Sequence, residues 1–180
     1  MRKFLGLFVA AALVIPAAAI VAGPAGAAGG TSCASGSGSA TFNPPLPDLT
    51  STKKVKDVLK ATGTLSGCTG AVSGGTFTGL SPASTGSNCK TIATPTSVGT
   101  KLKLTIKWNT GATSTIQAML KQIPKKPVTN QTVSGPVTAG LFKGSKLSGK
   151  FTYTLAKGTC SKGHALAKVT FASDGPIVIK

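Results

Sequence analysis

Acidic residues are almost missing from this 180-residue chain, which contains three Asp and no Glu. General acid–base catalysis needs a carboxylate, a histidine or a similar group with a tuned pKa. The chain offers four such groups: Asp48, Asp57, Asp174 and His164. A glycosidase needs two carboxylates beside a cleft, and a Gly-x-Ser-x-Gly nucleophile elbow is also missing. We therefore expect a protein that is not an enzyme.

The few titratable residues lie in segments that favour structural roles. Asp48 falls in a Pro-rich stretch, and Asp174 begins an Asp-Gly-Pro sequence, so both are expected to cap turns. His164 follows Cys160 in a predicted turn and is expected to be exposed to solvent. A cryptic hydrolase, with a cleft that gathers His164 and an Asp, is the weakest alternative.

Arginine and large aromatic residues are also scarce. The only Arg is Arg2, and the chain has one Trp and one Tyr. Sequence-specific recognition of nucleic acid favours the forked guanidinium group of Arg, and single-strand binding needs aromatic side chains that stack on the bases. We therefore expect no specific nucleic-acid partner. The isolated cysteines and single His also predict no metal site and no cofactor.

The N-terminus has the three parts of a secretory signal peptide. Arg2 and Lys3 precede an apolar run from Phe4 to Val21, and small residues follow at 25–28. We predict that residues 1–28 are cleaved and that 29–180 form one domain. An uncleaved anchor is the alternative, but Pro and Gly residues interrupt the run before the about 20 residues of a spanning helix. The expected location is secreted, extracellular or associated with the cell wall, with no transmembrane segment after cleavage.

Four cysteines follow the predicted cleavage site: Cys33, Cys68, Cys89 and Cys160. An even number in an exported chain predicts disulfides, and four cysteines allow three pairings. Antiparallel pairing of the strand after Cys33 with the strand before Cys68 brings these two cysteines opposite each other. We therefore favour Cys33–Cys68 with Cys89–Cys160, although sequence alone does not choose.

Short runs rich in Thr, Ser, Gly and Val are separated by turn-forming Gly and Pro residues, a pattern that is typical of β-strands. The clearest run is 101–108, where four apolar residues share one face and three lysines share the other. Residues 114–120 are its predicted hairpin partner, and Trp108 is expected in the core. Residues 43–47 include three prolines and are therefore expected to lie outside any hydrogen-bonded β-ladder. The fold class is all-β with about nine strands, an immunoglobulin-like antiparallel β-sandwich or alternatively a small β-barrel.

Lysine supplies nearly all of the charge. Without Arg2 and Lys3, 18 of the 20 basic residues remain against three Asp, a formal charge of about +15. Such a surface attracts polyanions. The candidate binding residues are Lys101, Lys103 and Lys107, which share one strand face. A solvated surface without a specific partner is the alternative.

Four motifs resemble those of an uncharacterised family of small secreted actinobacterial proteins. They are Ser32-Cys33, Gly63-Thr-Leu-Ser-Gly-Cys68, Trp108-Asn-Thr-Gly-Ala-Thr-Ser-Thr115 and Gly135-Pro-Val-Thr-Ala-Gly-Leu-Phe-Lys-Gly144. These are turn and strand patterns, so the resemblance implies a fold and brings no catalytic residues.

The sequence therefore predicts an exported interaction module of the cell envelope. Its expected partners are anionic envelope polymers or acidic protein surfaces, bound diffusely through lysine. A specific protein-binding module, such as an inhibitor or adhesin, is the alternative. Oligomeric state stays open.

Overall fold

A computed structural model describes residues 29–90, 99–123, 129–155 and 160–180. The predicted signal peptide, 1–28, lies outside these residues. The described part contains one antiparallel sheet of nine strands, which confirms the all-β prediction. The strands are β1 (Thr31–Leu46), β2 (Val58–Thr69), β3 (Gly74–Leu80), β4 (Thr100–Trp108), β5 (Thr113–Gln122), β6 (Asn130–Gly140), β7 (Lys146–Leu155), β8 (Leu166–Ser173) and β9 (Ile177–Ile179).

The sheet closes on itself. Each strand from β1 to β7 pairs with the next strand along the chain, and β8 pairs back with β1. An immunoglobulin-like sandwich has two separately hydrogen-bonded sheets, whereas the described strands form a single sheet. The sandwich detail of the prediction is therefore not confirmed.

The last two strands act as one interrupted strand. Both β8 and β9 run antiparallel to β1 and to β7, so they run in the same direction. Between them, Gly175 has a φ of 95° and Pro176 has no N–H to donate. The backbone N–H of Asp174 donates to the carbonyl of Lys150 at 2.9 Å, which holds the break against β7. The predicted turn at Asp174 is therefore a bend inside a strand, and the chain does not reverse there.

The prolines near the end of β1 do not end the strand, so the expectation that residues 43–47 leave the ladder is wrong. β1 continues to Leu46, which lies opposite Leu166 of β8. The register shifts between Thr41 and Leu46. Because the shifted pairing passes over Pro44 and Pro45, the ladder does not need the N–H groups that they lack.

Side chains alternate between the inside and the outside of the closed sheet. On the outside, Thr62, Thr78, Thr105 and Thr115 are successive cross-strand partners on β2 to β5. Threonine suits a pleated, solvent-facing surface because its branched side chain packs on its neighbours while its hydroxyl meets water. These four threonines are therefore suited to the outer surface of the sheet.

One end of the sheet, which we call the lower end, is densely packed. It carries the short turns 70–73, 109–112 and 141–145. Trp108 is buried there, and its ring packs edge-to-face on Phe142 with centroids 5.6 Å apart. This confirms the prediction that Trp108 belongs to the core.

At the opposite, upper end, β1, β3, β5 and β7 finish. The two disulfides lie at different ends and have the pairing that we favour from the sequence: Cys33–Cys68 at the lower end and Cys89–Cys160 at the upper end. Cys33 lies opposite Cys68 in the β1–β2 ladder. Cys89–Cys160 joins the connection after β3 to the connection after β7, which ties the upper end together.

Candidate ligand-binding cavity

The closed sheet surrounds an apolar cavity of about 180 Å³. Residues from all nine strands line it, and none of these lining residues is charged. The lining consists of Ala40, Phe42, Leu59, Ala61, Leu65, Phe77, Thr100, Leu102, Leu104, Ile106, Leu120, Gln131, Val133, Leu147, Phe151, Tyr153, Val169, Phe171 and Ile177. An apolar space of this size inside a sheet is suited to an apolar guest.

Aromatic rings form one wall of the cavity. The ring of Phe171 stacks on Phe77 with centroids 6.0 Å apart and meets Phe151 edge-to-face at 5.6 Å. Gly38 and Gly63 are cross-strand partners beneath these rings. A Cβ on Gly63 would lie 2.5 Å from Cζ of Phe77, and a Cβ on Gly38 would lie 2.8 Å from Cζ of Phe171. Because these two glycines have no side chain, the rings of Phe77 and Phe171 have room to pack against the backbone of β1 and β2.

Among the described residues, the cavity is closed at its lower end, and its lining is less buried at its upper end. Its lower lining is buried, and Trp108 and Phe142 pack in the same core. Four lining residues near the upper ends of β4 to β7 are not buried: Thr100, Leu120, Gln131 and Tyr153. We call these four residues the cavity mouth.

The polar groups of the lining are confined to this mouth. Thr100 carries a hydroxyl, Gln131 an amide and Tyr153 a phenol. Burial raises the pKa of the Tyr153 phenol above its ordinary value. The phenol therefore remains protonated at neutral pH and is able to donate a hydrogen bond.

The connections over β1, β2 and β8 pack together and cover that side of the upper end. Asp57 is buried, and its carboxylate accepts a hydrogen bond from the hydroxyl of Ser84. Asp48 accepts hydrogen bonds from Thr50 and, at 2.7 Å, from the backbone N–H of Gly163. These bonds hold the pKa of Asp48 below its ordinary value, chiefly through the Thr50 hydroxyl. The turn-capping role predicted for Asp48 is therefore confirmed.

The candidate catalytic groups are not assembled into a site in the described structure. His164 is exposed, as expected, and its backbone N–H donates to the carbonyl of Ser161. The contact between its loop and Asp48 is made by the Gly163 backbone and not by the imidazole. Within the described ranges, no three His, Cys, Asp or Glu side chains are placed to share a metal ion.

The structure places Lys101, Lys103 and Lys107 on the outer face of β4, all exposed, as the alternation predicts. Leu80 of β3 lies opposite Lys103 and also opposite Lys60, and is 53% exposed. A single leucine is not an apolar patch, so it defines no protein-binding surface.

Lysines are more numerous at the upper end. Every lysine in the described ranges is exposed. Ten lie in the upper connections or on the adjoining parts of the strands: Lys53, Lys54, Lys56, Lys60, Lys90, Lys101, Lys103, Lys121, Lys162 and Lys168. The other five are Lys107, Lys143, Lys146, Lys150 and Lys180. The end that holds the cavity mouth is therefore the more basic one.

Sequence reasoning missed the cavity. The signals were present, since four of the five Phe residues after residue 28 line it, together with the only Tyr. Glycines at inward strand positions, such as Gly38, Gly63 and Gly79, were a second signal, because each removes a side chain from the interior. An apolar strand face looks the same in a sequence whether the space it borders is filled or empty.

No family model, curated protein or solved structure matches this chain. The resemblance to small secreted actinobacterial proteins therefore stays a prediction. In the part of the chain that is described, no helix has the length and apolarity to cross a membrane.

Proposed function

We propose that this protein binds a small apolar molecule inside its closed sheet, as a carrier or sensor and not as an enzyme. The observation that carries the proposal is the uncharged cavity of about 180 Å³. A closed sheet of eight strands is just wide enough to be filled by side chains or to hold one small ligand. An apolar cavity of about 150 Å³ is known to stay dry and to bind benzene.

The volume limits the size of the guest. At about 30 Å³ for each non-hydrogen atom, taking the volume of a water molecule as a guide, the cavity holds about six such atoms. A single ring or a short alkyl chain meets that limit. Each buried methylene contributes about 0.8 kcal/mol, which is about fourfold in affinity.

Calorimetric titration with primary alcohols from butanol to dodecanol tests this proposal. We expect affinity to rise about fourfold for each added methylene and to level off once the chain exceeds the cavity. Affinity that rises without a plateau would indicate binding to an open surface. The absence of binding by any alcohol would overturn the proposal.

A variant that fills the cavity provides the matched control. Ala61 lines the cavity and is buried, so Ala61→Phe places a ring in the space and should abolish binding. Ala40→Leu is the milder second variant, because overpacking costs about 1–3 kcal/mol of stability. Ala172→Phe adds the same ring on the exposed outer face and should leave binding unchanged. Fluorescence of Trp108, the only Trp, reports whether each variant is folded.

We also propose that the protein is exported. The two disulfides support this, because such bonds persist in oxidising compartments outside the cytoplasm. This is tested by expressing the full chain in a secreting host and determining the N-terminal sequence of the protein recovered from the medium. A mature N-terminus at Ala28 or Gly29 would support export with cleavage, whereas full-length protein retained in cells would contradict it.

Lysine-mediated adhesion to anionic envelope polymers is a second candidate, favoured by the exposure of every described lysine. A cell-wall pull-down across a salt series tests it, using the triple variant Lys101/Lys103/Lys107→Gln. Diffuse electrostatic binding should weaken with salt and with these substitutions. Retention that is indifferent to both would exclude this mode of binding.

A further inference from the structure

Two exposed lysines lie on adjacent strands at the upper rim of the sheet, next to residues of the cavity mouth. Thr100 and Leu120 are cross-strand partners on β4 and β5, and both line the mouth. The next residues in sequence are Lys101 and Lys121, and both are exposed. A lysine ammonium extends beyond its stem while its methylenes lie along apolar surface. Lys101 is the second residue of β4 and Lys121 the second-last of β5, so both begin on the outer face close to the rim, from which a long side chain is able to bend toward the mouth.

We propose that the ligand is an anionic amphiphile, with its apolar part in the cavity and its carboxylate or phosphate head group at Lys101 and Lys121. This inference rests on the proposed binding of an apolar molecule. It names the chemical class of the ligand and the direction in which it enters the cavity.

The cavity interior requires the head group to stay at the mouth. None of the lining residues is charged, and an unpaired charge is very costly to bury in apolar surroundings. The neutral donors near the mouth, the phenol of Tyr153 and the amide of Gln131, are suited to hydrogen-bond an anionic oxygen there. The apolar part of the ligand therefore lies deep in the cavity, and its polar head group stays at the mouth.

The charge of the whole upper end favours the same ligand. Ten described lysines lie there against two aspartates. Of these two, Asp57 is buried and bonded to Ser84, and Asp48 is held by Thr50 and Gly163. The field at the mouth is therefore positive, which attracts an anionic head group and repels a cationic one.

Binding of hexanoate, hexanol and hexylamine to the full chain tests the inference, because these probes share one chain of a length that the cavity holds and differ in head-group charge. We expect hexanoate to bind most tightly and hexylamine most weakly at low salt. The double variant Lys101/Lys121→Gln should weaken hexanoate binding about tenfold, on the scale of exposed charge pairs, and should leave hexanol unchanged. Hexyl phosphate in place of hexanoate distinguishes a phosphate head group from a carboxylate.

The matched control is Lys107/Lys146→Gln, which removes the same charge from exposed positions nearer the lower end. Unchanged hexanoate affinity in this variant would support local recognition at the mouth. Equal losses in both double variants would overturn the inference and indicate diffuse attraction. Equal binding of hexanoate and hexanol to the wild-type protein would also overturn it, while leaving the proposed apolar binding intact. If neither probe binds, or if Ala61→Phe binds both as well as wild type, the proposed function itself fails.

Discussion

The indole of Trp108 donates its Nε1–H to Oγ of Ser114 at 2.8 Å, and both side chains are buried. The Ser114 hydroxyl in turn donates to the carbonyl of Leu141. This short chain of bonds links β4 and β5 to the turn after β6 at the closed lower end of the sheet. It satisfies the one polar atom of a side chain that otherwise packs as a hydrocarbon.

Replacing Ser114 by Ala should destabilise the fold by about 1–3 kcal/mol, because the indole N–H and the Leu141 carbonyl lose a buried partner. Urea unfolding followed by far-ultraviolet circular dichroism measures the change. Trp108→Phe and the double variant complete a mutant cycle that separates the hydrogen bond from the lost ring volume. Additive effects of the two substitutions would contradict the coupling.

Removing Cys89–Cys160 should cost about 4 kcal/mol of unfolding free energy on the loop-entropy model, since it closes a loop with a sequence separation of 71. We expect a Cys89→Ala/Cys160→Ala variant to lose this stability and to keep the β-sheet circular-dichroism spectrum. Cys33→Ala/Cys68→Ala is the comparison, with a separation of 35 and a similar expected cost. Urea midpoints that match those of wild type for both variants would refute the stabilising role.

The stability of the protein should fall in acid partly through Asp48. Its pKa is lower in the folded than in the unfolded chain, so its contribution is present above the ordinary value of about 3.9 and is lost as pH falls below it. The difference in unfolding free energy between wild type and Asp48→Asn should therefore be largest near neutral pH and shrink in acid. Thr50→Val should reproduce part of the effect, because the Thr50 hydroxyl is the main cause. A difference that stays constant with pH would contradict this account.

Tyr153 should ionise at a higher pH in the folded protein than in the unfolded chain. Burial raises its pKa above about 10, so the linked stability is present below pH 10 and is lost as pH rises from there toward the folded value. Because it is the only Tyr, the near-ultraviolet absorbance of tyrosinate reports on it alone. Tyr153→Phe, which should lose the signal, is the control. Identical midpoints in buffer and in denaturant would show that the phenol is not buried.

Local patterns predicted local structure well. The alternation in 101–108 predicted β4 and its buried Trp108, and β5 follows as the hairpin partner. Opposing Cys33 and Cys68 predicted the register of β1 with β2, in which Thr41 faces Lys60. The β4–β5 prediction succeeded because a short connection determines the register of neighbouring strands, and the β1–β2 prediction because the disulfide holds Cys33 opposite Cys68 across the longer connection 47–57.

The closure of the sheet and the cavity could not be predicted in the same way. Closure depends on β8 meeting β1, a contact between opposite ends of the chain that no local pattern contains. The Asp-Gly-Pro sequence at 174–176 suggested a reversal, because the same residues serve a turn and a bulge. Whether inward-facing Phe77 and Phe171 fill the interior or border a space depends on the curvature of the whole sheet.

The most direct test of the central claim is an NMR measurement of through-space contacts between octanol and the protein. The account predicts cross-peaks from octanol methylenes to the ring protons of Phe77, Phe151 and Phe171, which line the cavity. Cross-peaks only to Leu49 and Leu80, the exposed leucines of the described chain, would place the alcohol on the surface and contradict the account.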